Sequence, residues 1–231
     1  MMRAALKYNN IFRRTDMFKT ILLDFDGTVF DTAEGITRSV QYALKKFGID
    51  SDLRELYCFC GPPLVDMFME KYGFDREKAV TAVSYYRERY SVDGWHECSV
   101  YPGVRELVKT LRDEGRAVAV ATSKPTDYAV KIMATLNMEN DFDLVMGCEF
   151  DGTRNEKWEV ITAAMENLSA GKDTTLMVGD RKYDVIGAHR CGIKCAGVGY
   201  GYAEPGEFEK AGADFIVPDP AALLELIHNN D

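Results

Sequence analysis

Short apolar runs separated by stretches of helical period constrain this chain more than any other feature. Ile21-Leu22-Leu23, Ala117-Val118-Ala119-Val120-Ala121, Leu144-Val145-Met146, Leu176-Met177-Val178 and Phe215-Ile216-Val217 are bounded by turn residues, with a weaker run at Ala196-Gly197-Val198. Runs this short and this continuously apolar suit strands covered on both faces. Between them apolar residues recur at helical spacing: Val104, Leu107, Val108 and Leu111, then Ala129, Ile132, Met133 and Leu136, then Val160, Ile161, Ala164 and Leu168. Strands that need cover on both faces, each followed by a helix, predict an α/β fold. The expected core is a doubly wound, Rossmann-like parallel sheet that binds ligands at the carboxyl ends of its strands.

The alternation fails between Thr32 and Ser99. Helical periodicity continues there, as in Ile36, Val40, Leu44 and Phe47, but no strand pattern appears. Gly61-Pro62-Pro63 and Gly73 interrupt the segment, and Tyr101-Pro102-Gly103 marks the return to the sheet. The chain is therefore expected to divide into a core of residues 17–31 and 100–231 and a small inserted helical cap of residues 32–99. An insert directly after the first strand would overhang the ligand crevice. Between Met1 and Thr15 lie Arg3, Lys7, Arg13 and Arg14 with no acid, and the longest apolar stretch, Ala4-Ala5-Leu6, is too short for a signal-peptide core. Residues 1–16 are expected to be a frayed basic leader.

Composition narrows the partners. With 28 Lys+Arg against 37 Asp+Glu the net charge is -9, a field that repels a phosphate backbone, so nucleic acid is not an expected partner. No apolar run approaches the ~20 residues of a membrane-crossing helix, so no membrane association is expected. The six cysteines form no Cys-x-x-Cys pair and are expected to be free thiols in a reducing compartment, which points to the cytoplasm.

Four strand ends carry the chemistry. Thr20-Ile21-Leu22-Leu23-Asp24-Phe25-Asp26-Gly27-Thr28 runs a buried strand into two carboxylates one residue apart, which strand alternation puts on one side. An Asp-Gly turn accounts for Asp26-Gly27 but not for Asp24. Ala117 to Ala121 delivers Thr122-Ser123-Lys124-Pro125, whose hydroxyls suit either a helix cap or a ligand contact. Lys157 opens a helix where its charge opposes the helix dipole. Val178-Gly179-Asp180 ends a strand, and Asp184 follows one helical turn later. Around one crevice these residues gather hard oxygen ligands suited to Mg2+, a cation to neutralise phosphate and an acid poised for attack, the parts required for phosphoryl transfer. The expected ligand is a small phosphorylated metabolite.

In these four motifs, Asp24-x-Asp26-Gly27-Thr28, Thr122, Lys157 and Gly179-Asp180-x-x-x-Asp184, the sequence resembles the haloacid dehalogenase-like hydrolases. Gly61-Pro62-Pro63-Leu64 and Tyr101-Pro102-Gly103 resemble the phosphoglycolate phosphatase-like branch. The resemblance implies an Mg2+-dependent phosphatase that hydrolyses a phosphomonoester through an aspartyl-phosphate, the substrate being phosphoglycolate, a nucleotide or a sugar phosphate. It makes Asp24 the nucleophile and Asp26 the acid and then the base. It assigns Mg2+ to the Asp24 carboxylate, the Asp26 carbonyl and Asp180, with Asp184 as a further or supporting ligand. Thr122 and Lys157 would bind phosphoryl oxygens, and main-chain amides near Gly27 and Ser123 would complete the cradle. Asp31 and Thr32 are expected to cap the first cap helix.

Two other readings share parts of this pattern. Phosphosugar mutases of the same branch carry a histidine soon after the stretch matching Asp31-Thr32-Ala33-Glu34, where Gly35 and Ile36 stand here. Signalling receiver domains store an aspartyl-phosphate but lack a helical insert and an acid two residues beyond the acceptor. Arg54, Lys71 and Arg87 are weak candidates for contacts to the leaving group.

Overall fold

The computed structural model describes residues 18–149 and 153–230. The expected leader, residues 1–16, lies outside them, as does Met17. Strand β1 (Thr20–Leu23) leads into a two-residue strand, β2 (Phe30–Asp31), and then into helices α1 (Ala33–Lys46), α2 (Leu64–Tyr72) and α3 (Arg76–Tyr90). The chain returns through β3 (Ser99–Val100). Helix and strand then alternate: α4 (Val104–Asp113), β4 (Ala117–Pro125), α5 (Thr126–Thr135), β5 (Leu144–Cys148), α6 (Lys157–Asn167), β6 (Thr175–Gly179), α7 (Lys182–Cys191), β7 (Lys194–Val198), α8 (Glu207–Ala211), β8 (Phe215–Val217) and α9 (Pro220–Asn229).

Six strands form one parallel sheet in the order β5-β4-β1-β6-β7-β8. The sheet is covered on both faces, as the uninterrupted apolar runs require. Ile21 and Leu23 pack with α4 and α9 through Leu107, Leu111, Leu223 and Ile227, whereas Leu22 packs with α6 and α7 through Ile161, Ala164, Val185 and Ala188. Period-two alternation along β1 thus feeds two separate apolar layers. The strand order reverses at β1, which sits between β4 and β6, so the carboxyl ends of these three strands open onto the crevice where such sheets bind ligands.

The helical segment builds an apolar core of its own from Ile36, Val40, Leu44, Phe59, Phe68 and Val83, among others. It joins the sheet through β2 and β3, which pair antiparallel with Phe30 opposite Val100 and Asp31 opposite Ser99. These strands stand at the two ends of the segment in which no strand pattern appears, and two residues are too few to display a period. The six cysteines are free. Among the described residues no helix is long and apolar enough to cross a membrane.

Candidate active site

The site is assembled at the ends of β1, β4 and β6 and the start of α6. The ladder of β1 continues one residue beyond the strand, since Asp24 N donates to Val178 O at 2.8 Å, and this fixes the Asp24 side chain at the crevice. A tight turn follows in which Gly27 N donates to Phe30 O at 2.8 Å. The amide expected to serve a phosphate cradle at Gly27 is therefore engaged within the turn. Thr122 and Ser123 line the crevice from β4. Thr122 does not cap α5, whose N-cap position is Pro125; its Oγ1 instead accepts a hydrogen bond from Lys124 N at 3.1 Å.

Lys157 is buried between two acids, with Nζ 2.6 Å from Asp24 Oδ1 and 2.7 Å from Asp184 Oδ1. Burial alone would lower the ammonium's pKa, but Asp184 and Asp24 outweigh it and raise it. The other Asp184 oxygen accepts from Arg181 N at 3.0 Å, so both are used. Asp180 is fully buried; its Oδ2 accepts from Tyr202 N at 2.8 Å and its Oδ1 has no hydrogen-bond partner. Asp24, Asp180 and Asp184 each present an oxygen, all within 4.8 Å of one another. Burial, with the neighbouring carboxylates, pushes Asp180 well above its ordinary value, and burial lifts Asp24 to about 6 against the pull of Lys157.

Three buried carboxylates against one ammonium leave negative charge uncompensated, and an orphaned buried oxygen points into that cluster's own shortage of cations. Hard oxygen donors at this spacing fit a divalent cation such as Mg2+.

Asp26 is held by two side chains. Its Oδ1 lies 3.0 Å from Lys124 Nζ and accepts from Thr32 Oγ1 at 2.5 Å. Thr32 occupies the N-cap position of α1 but makes no side-chain cap; its hydroxyl donates to Asp26. Asp31 Oδ1 does accept from Ala33 N, at 3.2 Å, and also takes the phenol of Tyr202 at 2.9 Å. Lys124 Nζ donates to the hydroxyl of Tyr90, at the end of α3, at 2.9 Å. Sequence reasoning passed over Lys124 as a functional residue. A signal existed: Lys124 stands two residues beyond Thr122 on the same strand, on the same side.

A cavity of ≈ 200 Å³ reaches from Asp24 and Asp26 up to the cap, where Phe59, Tyr86, Tyr90 and Tyr128 line it. Arg181 also lines it and ties core to cap, pairing with Glu207 at 2.9 Å and donating to the carbonyl of Cys60. Of the three weak cap candidates only Arg87 reaches this cavity; Arg54 and Lys71 are exposed elsewhere.

A family model described as haloacid dehalogenase-like hydrolase matches residues 21–198. The chain belongs to that family. Members similar to it include a 5'-nucleotidase of Pseudomonas aeruginosa, 41% identical over 231 residues and the whole of both chains. The crystal structure of a predicted phosphatase from Clostridium acetobutylicum superposes with a TM-score of 0.88, at 42% identity, covering 92% of this chain and 99% of that one. The tyrosine-protein kinase PtkA of Mycobacterium tuberculosis is 34% identical over 208 residues, 89% of this chain and 70% of its own length. Family and relatives make this haloacid dehalogenase-like chain a phosphatase of the phosphoric monoester class.

Proposed function

We propose that the chain is an Mg2+-dependent phosphomonoesterase in which Asp24 accepts the phosphoryl group and Asp26 acts as acid and then as base. One observation carries the reading: Asp24, Asp180 and Asp184 each bring an oxygen within 4.8 Å of the others, Asp180 keeps a buried oxygen without a hydrogen-bond partner, and Lys157 lies beside Asp24. Asp24, Asp180 and the main-chain carbonyl of Asp26 are the ligands assigned to Mg2+. Asp184, its oxygens taken by Lys157 and Arg181 N, supports them. Bound there, Mg2+ would neutralise the acids and draw charge from the phosphoryl oxygens.

The remaining chemistry belongs to the chain's own residues. The Asp24 carboxylate attacks phosphorus as the ester P–O bond breaks, and the leaving oxygen takes a proton from Asp26. Water then gives a proton to Asp26 and attacks the aspartyl-phosphate, and the bond from phosphorus to Asp24 breaks to release inorganic phosphate. Lys157 and Thr122 hold phosphoryl oxygens. Thr122 Oγ1 accepts from Lys124 N, which leaves its own proton free to donate. The Ser123 amide is the main-chain donor assigned to the cradle.

A nucleoside is the leaving group favoured here. The aromatic cavity wall suits a flat ring, and a full-length relative bears the name 5'-nucleotidase. Of the cations that line the cavity, Lys124 is engaged by Asp26, Lys157 by Asp24 and Asp184, and Arg181 by Glu207, which leaves Arg87 as the cation to meet the carboxylate of glycolate. Ile36, which lines the cavity, offers hydrocarbon and no proton acceptor for a mutase's second hydroxyl.

A phosphate-release panel of nucleoside monophosphates, sugar phosphates and phosphoglycolate tests the reading, with Mg2+ or a chelator. Nucleoside monophosphates should turn over only with Mg2+, and Asp24→Asn should be slower by about 10⁴-fold or more. Wild-type turnover by Asp24→Asn would overturn it.

A further inference from the structure

The acid–base residue of a capped phosphatase faces a timing problem. If Asp26 were set for proton transfer whenever the crevice stood open, water could reach the aspartyl-phosphate and the active groups at any time. Here the cap contributes to the setting of Asp26 through a short chain of buried contacts.

Lys124 lies at the carboxyl end of β4, on the core, and is 9% exposed. Its ammonium bridges Asp26 Oδ1 at 3.0 Å and the Tyr90 hydroxyl at 2.9 Å. Tyr90 is the last residue of α3, a cap helix, and is 5% exposed. Its ring is held independently of its hydroxyl, stacked on Tyr86 at 5.2 Å and 15° and met edge-on by Tyr128 at 5.3 Å. A buried ammonium needs acceptors for its protons, and Tyr90 is the acceptor that comes from the cap. Without it the flexible four-carbon stem of lysine is free to seek another partner, and Asp26 loses a fixed neighbour.

We propose that Tyr90 is a positioning residue for the proton-transfer step: its hydroxyl fixes Lys124, and Lys124 fixes the Asp26 carboxyl, so that the acid–base group is completed by the seated cap. Tyr90 touches neither phosphorus nor the leaving oxygen in this role. The inference rests on the assignment of Asp26 as acid and base.

The consequence depends on the leaving group. A nucleoside alkoxide cannot depart without a proton, whereas p-nitrophenolate departs readily as the anion. Tyr90→Phe keeps the ring in its stack and removes only the acceptor. It should lower kcat/KM, which reports binding and ester cleavage but not the later hydrolysis common to both esters, by about 10- to 100-fold for a nucleoside monophosphate, a fraction of what positioned acid catalysis supplies, and by less than about threefold for p-nitrophenyl phosphate. Lys124→Gln should show the same split. Adding Tyr90→Phe to Lys124→Gln should cost less than about twofold more, since the two act in series. Equal losses on both esters, no loss on either, or fully multiplying losses in the double variant would each overturn the role of Tyr90. A cap loosened by Tyr90→Phe would lower both esters alike, so the split between the esters separates that defect from lost positioning. Asp24→Asn measured alongside separates the two levels: if it stays active the phosphatase reading itself fails, and if it is dead on both esters a flat response from Tyr90→Phe refutes only the positioning role.

Discussion

At Gly27 the backbone turns with φ +81°, in the left-handed region, and a Cβ there would lie 2.0 Å from Asp180 Oδ2 and 2.7 Å from the ring of Tyr202. The position thus carries two independent demands for glycine, one conformational and one steric, and the steric one falls on an acid of the proposed metal site. Gly27→Ala should destabilise the fold by about 1–3 kcal/mol through backbone strain alone. It should also lose Mg2+-dependent turnover, because Asp180 must move to admit the methyl group. Thermal unfolding and phosphate release check the two effects separately, and a variant with wild-type values in both would refute them. Single residues also mark how far the site could be read from sequence. Asp24, Asp26 and Asp180 stand at strand ends, where the period of the strand itself aims them at one crevice. Lys124 was legible in principle by the same alternation, but Pro125 after it drew the segment toward a helix-cap reading. Thr32 and Tyr90 carried no local signal: their contacts with Asp26 and Lys124 exist only because the cap seats on the core, a tertiary fact no window of sequence contains.

The connection between core and cap is built from elements too short to announce themselves. The strands of the core were legible because each is an apolar run sandwiched between helices, and the sheet follows from that requirement. The connecting strands β2 and β3 have two residues each and no period, so they emerge only as a pair. Just before β3, Glu97 anchors the end of α3: Arg89 donates from both terminal nitrogens to its two carboxylate oxygens, each at 2.8 Å. Those hydrogen bonds hold the Glu97 carboxyl below its ordinary value of 4.5, with burial opposing them. A depressed folded-state value means that the unfolded chain takes the proton first as pH falls. The pair's stabilisation is therefore complete above the unfolded value near 4.5 and disappears as pH drops through the lower, folded one. Glu97→Gln cannot titrate. Its melting temperature at neutral pH should lie about 2–4 °C below wild type, corresponding to about 1 kcal/mol for a half-buried pair, and the gap should close as pH falls below the ordinary value of 4.5. Melting curves across that range test the anchor, and a gap that widens in acid would contradict it.

On the scale of the whole molecule, the net charge of -9 and the acidic cluster at the sheet's edge act in the same direction. Both attract cations and both repel the phosphate of a substrate, so a phosphate dianion meets a favourable field only after the cluster has been neutralised. In the proposed function cation binding would precede substrate binding, and without the cation the cluster would strain the fold through its own repulsion, since the Lys157 ammonium pairs with Asp24 and Asp184 alone of the three acids. This makes metal binding visible without turnover. At a hundred times its Kd, Mg2+ should stabilise the protein by about 2.7 kcal/mol, raising the melting temperature by about 5 to 10 °C. Asp180→Asn removes one of the three charges while its side-chain oxygen can still accept from Tyr202 N, and its amide can donate to the carboxylates left behind. That variant should melt at or above the wild-type temperature in chelator and respond little to Mg2+, trading metal affinity for intrinsic stability. The two shifts have opposite signs only if charge repulsion among these acids is the stored quantity. An Asp180→Asn protein that is less stable than wild type in chelator, yet gains the full shift on adding Mg2+, would show that the cation binds elsewhere.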